Sequence, residues 1–351
     1  MQLYLRERGF FNAYQRAYLE GKEAAEHIYC LGDEIRLAKD NGWITAAVSL
    51  DVEKAFDSVW HDGLRRKLSL IGLPVTLVRL LSSFLTERTI RVRVNHVLSD
   101  PVYLKAGTPQ GSVLSPLLYL IYVNDLPIQP INNCRAGQFA DDVNTWTSYP
   151  NKSVTFKRLQ RSLNEIQRWC SKWRIKLNVG KTQLVCFSCK GSKLKLEMFG
   201  KTIEEADAMT VLGVTLDKGL HLAEHCQKTA TIAMQRVNLL RLMRGKNWGA
   251  SKSILLRLYK QYVRPVLETG SVITACASMM SIQKLQRVQN TALRIALRAP
   301  RRTRISDLHG QAEIQMIADR LLDLRKNAIT RFGTSDNVQA LEFQRLLQTG
   351  R

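Results

Sequence analysis

The stretch GQFADDVNTW, residues 137–146, sets two adjacent carboxylates, Asp141 and Asp142, inside an otherwise apolar, strand-like run. Burying a carboxylate is costly unless it is paired, hydrogen-bonded or bound to a cation. A tight turn between two strands tolerates Asp and would project the pair from the edge of a sheet. Ninety residues earlier, the β-rich run ITAAVSLDV meets its first charge at Asp51. Asp has poor strand propensity, so both places are odd for purely structural carboxylates. If the two strands lie side by side, Asp51 and Asp141 meet at one point. Like charges that close cannot all ionise without a cation between them. Magnesium fits best, because it accepts few carboxylates and keeps positions open for phosphates. Two such ions could activate a hydroxyl nucleophile and neutralise a leaving pyrophosphate. Taken alone, the dipeptide reads more readily as an Asp-Asp turn on a solvated hairpin.

Composition narrows the setting. The chain has 351 residues, 45% of them hydrophobic, enough for two or three domains and too apolar for a disordered chain. Its longest apolar run, VLSPLLYLIYV at 113–123, is too short to span a bilayer, and MQLYLRERGF lacks the apolar core of a signal peptide. No membrane role is expected. Seven cysteines without small-scaffold spacing read as free thiols in a reducing compartment. Lys plus Arg number 52 against 30 acidic residues, a net charge of +22. The excess is uneven: residues 1–217 carry +7, and the shorter segment 218–351 carries +15. A single-sign field this large favours a polyanion, most often nucleic acid. The plainer reading is a merely soluble basic protein.

Helical spacing of Ala, Ile, Leu and Tyr predicts a helix over 12–40, with Gly42 beyond its end. Asp62 is placed to cap a helix LRRKLSLIG, and a second helix runs to about residue 86. TIRVRVN alternates apolar and basic residues and predicts a half-exposed strand, in a hairpin with PVYLKAG. Ser115 and Pro116 open another helix, and 151–173 reads as a long one. LVCFS, KLEMFG and TVLGVTLD read as strands, and from residue 220 onward the pattern is helical and basic. This order predicts an α+β domain to about residue 217 and a helical domain after it. Within LKAGTPQGSVLSP, 104–116, Gly107 and Gly111 flank a proline, which suggests a fixed loop whose backbone closely approaches something. Gln110 offers both a donor and an acceptor, and exposed amides there can meet a phosphate or ribose. An ordinary loop before a helix is the alternative.

SLDVEKAFDSVWHDGL, AGTPQGSVLSPLLYLIYVNDLP and QFADDVNTW, in this order and spacing, resemble the polymerase motifs of a reverse transcriptase. They are most similar to those of non-LTR (LINE-type, jockey-like) retrotransposons. The similarity continues through WRIKLNVGKTQLVCF and TVLGVTLD, then into LLRLYKQYVRPVLETG and LQRVQNTALRIALRAPR, which look like the thumb of the same elements. It covers roughly residues 45–305. The resemblance implies a right-hand polymerase: a residual fingers segment over 1–45, an antiparallel palm with packed helices over 46–217, a helical thumb over 218–310 and a helical tail over 311–351.

It also implies roles. Asp51, Asp141 and Asp142 would be the catalytic carboxylates, binding two Mg²⁺ ions (with Mn²⁺ as a substitute) together with the backbone carbonyl of Val52. Adjacent strand side chains point to opposite faces, so Asp141 is expected to be the firmer ligand and Asp142 the looser. Phe56 matches the steric gate that leaves no room for a ribose 2′-OH; read alone, it is a core aromatic. Gln110 and Gly111 match the loop that positions nucleotide and template. Lys181 matches the lysine proposed to protonate pyrophosphate, and Leu212 with Gly213 matches the primer grip. An RNA template, a DNA primer or nicked target DNA, and deoxynucleoside triphosphates would be the partners. An intracellular setting, cytoplasmic with nuclear entry of the intact element, goes with them.

In the helical segment, Arg241, Arg244, Lys246, Lys252, Arg257, Lys260 and Arg264 recur at spacings that could line one side of a helix pair. Arg294, Arg298, Arg301, Arg302 and Arg304 cluster further on. Phosphate contacts from such faces give sequence-independent, salt-sensitive affinity. Cys186 and Cys189 with His221 and His225 lie outside zinc-finger spacing, and the cysteines read as small buried residues. FNAYQRAYLEGKEAAEH resembles the last finger segment, but Leu19 stands at its usual arginine, and Glu23 and Ala24 at its usual Ser/Thr. The family's other finger motifs and its endonuclease are expected upstream in the intact element. A truncated, catalytically inactive nucleic-acid-binding remnant is therefore the second expectation.

Overall fold

The computed structural model describes residues 1–128, 134–189, 193, 195–245 and 249–334. In chain order, a short helix α1 (Gln2–Glu7) and α2 (Ala24–Asp40) lead into strand β1 (Ile44–Leu50). Helices α3 (His61–Leu70) and α4 (Val75–Leu85) follow, then four short strands, β2 (Thr89–Ile90), β3 (Arg93–Val94), β4 (Val97–Leu98) and β5 (Val102–Tyr103). Helix α5 (Leu114–Val123) precedes the hairpin of β6 (Arg135–Phe139) and β7 (Asp142–Tyr149), and α6 (Lys152–Trp173) precedes β8 (Gln183–Phe187). Two small hairpins come next, β9 (Leu196–Met198) with β10 (Lys201–Ile203) and β11 (Ala208–Val211) with β12 (Val214–Asp217). The described residues beyond are helical: α7 (Ala223–Arg244), α8 (Lys252–Leu258), a π-helical turn (Tyr259–Val263), α9 (Arg264–Leu267), α10 (Ser271–Thr274), α11 (Met279–Leu297), α12 (Ile305–Ala312) and α13 (Ile317–Thr334). This is an α+β palm followed by a helical thumb.

The central sheet has the order β6-β7-β1-β8 and every pairing is antiparallel. Both of its faces are covered, which is why its strands read as near-continuous apolar runs. Ala46, Val48, Leu50, Val143, Leu184 and Cys186 join a core built with α3, α5 and α6. Ala47, Trp146, Val185 and Phe187 point the other way, into a core shared with α2, the β11–β12 hairpin and the thumb helices. The period of two along each strand thus splits one sheet between two cores. Helix α6 starts at Asn151, whose side chain accepts from the Val154 N–H at 3.2 Å.

Two expectations are corrected. The helix predicted over 12–40 begins only at Ala24. Residues ahead of it lie along the sheet instead, where Gln15 bridges Gln138 of β6 in parallel, the Arg16 N–H donates to the Gln138 carbonyl and the Gln138 N–H donates to that of Tyr14. Asp62 does not cap α3. Trp60 holds the cap position, tied to Ala106 by a bridge, and Asp62 sits in the first turn bonded to Arg65 at 2.8 Å. Every residue of the ribbon over 89–103 is exposed, Ile90 and Leu98 about half so, with Asn95 and His96, both left-handed, turning β3 into β4. Of the expected helical tail, α13 packs against α10, α11 and α2, where Arg331 binds Glu23 and Arg325 binds Asp33. Residues 335–351 and Lys246 lie outside the described residues.

Candidate functional site

Strands β6 and β7 are joined by Ala140 and Asp141, with Phe139 paired to Asp142. In the β1–β7 ladder Leu50 faces Val143, so Asp51 and Asp142 are each the next residue outward at the same end. Desolvation pushes the Asp142 carboxyl above its ordinary value, and the charges of Asp141 and Asp51 push it further the same way. Asp142, expected to be the looser ligand, thus lies within electrostatic reach of both other acids. Asp141 also lies beside Tyr119, whose phenol is pushed up by burial and by that charge. Among the described residues none of the three aspartates has an ion-pair partner.

Among the described residues, no three His, Cys, Asp or Glu side chains close tightly enough around a point to hold a metal ion by themselves. The expected set of Asp51, Val52, Asp141 and Asp142 is therefore an open one. Unneutralised carboxylates that repel one another suit a hard cation that completes its shell with water and phosphate oxygens. Val52 would add its carbonyl oxygen to such a set. It bridges Leu177, but the bonds that hold it there belong to its neighbours: the Asn178 N–H donates to the Asp51 carbonyl at 2.8 Å and the Glu53 N–H to that of Lys176 at 2.9 Å. No backbone bond among the described residues is made to the Val52 carbonyl itself.

The loop after β5 is pinned to the segment that follows Asp51. The Gly107 N–H donates to the Val59 carbonyl and the Thr108 N–H to that of Phe56, both at 2.8 Å. The Gly107 carbonyl faces His61 Nε2 at 2.7 Å and accepts from Arg88 at 3.0 Å. Gly107 is required twice over: φ is +90°, and a Cβ would stand 2.9 Å from the Asp57 carbonyl oxygen. This anchoring sets Gln110 beside Asp57, to which it donates at 2.9 Å, with Gly111 next to it at φ +82°. Phe56 is half-buried, its ring 5.0 Å from that of Tyr119 on α5. Phe56 and the Asp141 turn therefore both lie against Tyr119 of α5.

Lys181 is exposed, three residues after Asn178, whose carbonyl and side chain both accept its N–H. Leu212 and Gly213 form the two-residue turn between β11 and β12, with φ of 47° and 81°. Two left-handed residues give a tight hairpin whose twist matches its strands.

Of the basic thumb residues, Arg241, Lys252, Lys260, Arg298, Arg301 and Arg302 are exposed and Arg244 is half-buried. Arg298 ends α11 in a left-handed conformation and donates to the Arg244 carbonyl at 3.3 Å. Arg264 is committed inside the thumb, binding Glu268 at 3.2 Å together with Arg320. Between α7 and α11 runs an open groove of about 460 Å³, lined by Gln227, Gln235, Asn238, Lys284 and Arg287 among others. Cys186 is buried, and Cys186 and Cys189 belong to no metal cluster among the described residues.

Sequence reasoning missed the buried polar residues behind the turn. His27 is fully buried, its Nε2 3.0 Å from Asn144 Oδ1, and Asn144 donates to Ser49 at 2.9 Å. Burial holds the His27 imidazole down at about 3. Gly137 admits that ring, since a Cβ there would stand 2.6 Å from it. The signal was Gly137 and Asn144 inside a strand, two residues that weaken a strand unless something approaches them.

The profile described as reverse transcriptase (RNA-dependent DNA polymerase) matches residues 2–216. The chain is 29% identical over 324 residues to the probable RNA-directed DNA polymerase from transposon BS of Drosophila melanogaster, covering 90% of this chain and 36% of that protein. It is 28% identical over 310 residues to the RNA-directed DNA polymerase from mobile element jockey of the same species, covering 86% and 33%. The chain spans about a third of the length of these curated relatives. A solved telomerase from Candida albicans, in complex with a TWJ fragment of telomeric RNA, is similar at a TM-score of 0.45 and 14% identity, over 97% of this chain and 55% of that one. With the match extending over more than half its length, the chain belongs to the reverse transcriptase (RNA-dependent DNA polymerase) family.

Proposed function

We propose that the chain is the catalytic portion of an RNA-directed DNA polymerase, extending a primer 3′-OH with deoxynucleotides on an RNA template. Residues 1–45 would form a fingers segment, 46–217 the palm, 218–310 the thumb and 311–351 a tail. The observation that carries this reading is the pairing of Leu50 with Val143, which brings Asp51 and Asp142 to the same end of two paired strands with Asp141 on the adjoining turn.

Asp51, Asp141 and Asp142, with the Val52 carbonyl, would hold two Mg²⁺ ions, or Mn²⁺ in their place. Bound there, the metal lowers the pKa of the primer hydroxyl and offsets charge on the departing pyrophosphate. The chain's own residues do the rest. Phe56, backed by Tyr119, bounds the space beside the sugar and disfavours a 2′-OH. Gln110 and Gly111 present a side-chain amide and backbone to the nucleotide, Lys181 supplies a proton to pyrophosphate, and the Leu212–Gly213 turn bears on the primer end. Arg241, Lys252, Lys260, Arg298, Arg301 and Arg302 contact backbone phosphates of the duplex. In the intact element the primer is nicked target DNA, reached by nuclear entry from the cytoplasm, with endonuclease and further fingers regions supplied upstream.

A binding remnant is the second reading. It is favoured by the finger segment, where Leu19 replaces the usual arginine and Glu23 is bound to Arg331. Primer extension decides between them. Purified chain with an RNA template, a DNA primer, deoxynucleotides and Mg²⁺ should extend, and Asp141→Asn should not. A folded chain that binds primer–template without extending it is the remnant.

A further inference from the structure

Ala140 carries the turn that presents Asp141, and it stands in the left-handed region at φ 55°, a conformation unfavourable for a residue with a Cβ. Both of its backbone polar groups are held by side chains. Its N–H donates to Gln15 Oε1 at 3.1 Å, and its carbonyl accepts from Gln138 Nε2 at 3.0 Å. Gln15 Oε1 also accepts from the Ala17 N–H at 2.8 Å, which fixes the amide in place. The two glutamines are 2% and 1% exposed. Their backbones face each other across the bridge that lays the N-terminal segment along β6.

Among the described residues, each amide has its other half buried without a hydrogen-bond partner: Nε2 of Gln15, a donor, and Oε1 of Gln138, an acceptor. Two incompletely satisfied buried amides are a poor solution for stability alone. What they achieve together is capture of one residue from both sides.

We infer that Gln15 and Gln138 are positioning residues, a carboxamide clamp that holds Ala140 left-handed and so sets where the Asp141 carboxylate points. The inference rests on the reading of Asp141 as a metal-binding carboxylate and deepens it. On this basis the segment before α2 braces the acid turn from the outer edge of the sheet.

Two measurements on the full chain test it. The first is hydrogen exchange at the Ala140 amide, resolved by fragmentation mass spectrometry. Wild type should protect this N–H, and Gln15→Ala should expose it. Exchange in wild type at the rate of an open turn overturns the clamp without any variant. The second is Mn²⁺ binding followed by electron paramagnetic resonance. Gln15→Ala and Gln138→Ala should each weaken it about tenfold, the scale seen when residues supporting metal ligands are removed. Adding Ala140→Gly to Gln138→Ala should recover most of that loss, because glycine adopts a positive φ without restraint. Wild-type affinity in both glutamine variants, with Asp141→Asn still losing Mn²⁺, removes the clamp and leaves the site intact. An Asp141→Asn chain that binds Mn²⁺ like wild type removes the site reading itself.

Discussion

Leu50 stands directly across from Val143 in the antiparallel β1–β7 ladder, and this one pairing fixes where the acids of the chain lie. A slip of one residue would turn every side chain of β1 to the other face. Ala46, Val48 and Leu50 are buried on one side and Ala47 on the other, so neither face would tolerate the slip. The position of Asp51 beside Asp142 is thus enforced by apolar packing several residues away.

Gly137 is the point where β6 admits the His27 ring. A methyl group there would stand 2.6 Å from Cε1 and 2.7 Å from Nδ1 of a fully buried imidazole. Gly137→Ala should cost about 2 kcal/mol in urea unfolding, within the usual range for overpacking a core. Gly310→Ala, in α12 with open space around it, should cost nothing.

His27 predicts an acid instability. Its pKa falls from 6.5 to about 3 on burial, so the folded chain keeps it neutral while the unfolded chain takes up a proton below pH 6.5. The unfolded state then binds more protons, and stability falls as pH drops from about 6.5 toward 3. At pH 5 the loss from this group is about 2 kcal/mol relative to pH 7. Chemical denaturation of His27→Gln at both pH values should show that much less acid sensitivity.

Gly107 holds the loop that bears Gln110 against the backbone of Asp57. Gly107→Ala meets both a left-handed φ and a 2.9 Å contact with carbonyl oxygen, which cannot move as a side chain would. The displaced loop should lower kcat/KM for deoxynucleotide by roughly tenfold to a hundredfold, the scale of a displacement near 1 Å. Single-nucleotide incorporation kinetics would register it.

The thumb cations divide by what holds them. Replacing exposed Arg241, Lys252 or Lys260 by alanine should weaken duplex binding alike for all sequences and reduce the slope of log K against log salt by about one each. Arg264→Ala should leave that slope unchanged and lower the melting temperature, since its guanidinium is committed to Glu268. Fluorescence anisotropy across a salt series separates the two.

Much of this was legible in the sequence. Alternation and apolar runs marked β1, β7 and β8, the run 151–173 read as the helix that is α6, and the acids were conspicuous because Asp fits a strand poorly. The helix expected over 12–40 failed at Gln15, where bonds to β6 outweigh local helical spacing. Such a pairing joins residues more than a hundred positions apart and leaves no local signature. The Ala140 turn was hidden for a related reason. Left-handed residues usually announce themselves as Gly or Asn, whereas here an alanine is held by one side chain two residues away and another 125 residues away.

The central claim is that Asp51, Asp141 and Asp142 act as one site. Single-turnover incorporation of a deoxynucleotide on RNA-templated primer, followed across a Mg²⁺ titration, tests it most directly in wild type and in Asp51→Asn. Wild type should saturate with Mg²⁺, and Asp51→Asn should lose at least about a thousandfold in rate at every Mg²⁺ concentration, the scale of a lost transition-state charge partner. An Asp51→Asn chain that incorporates nucleotide at the wild-type rate would contradict it.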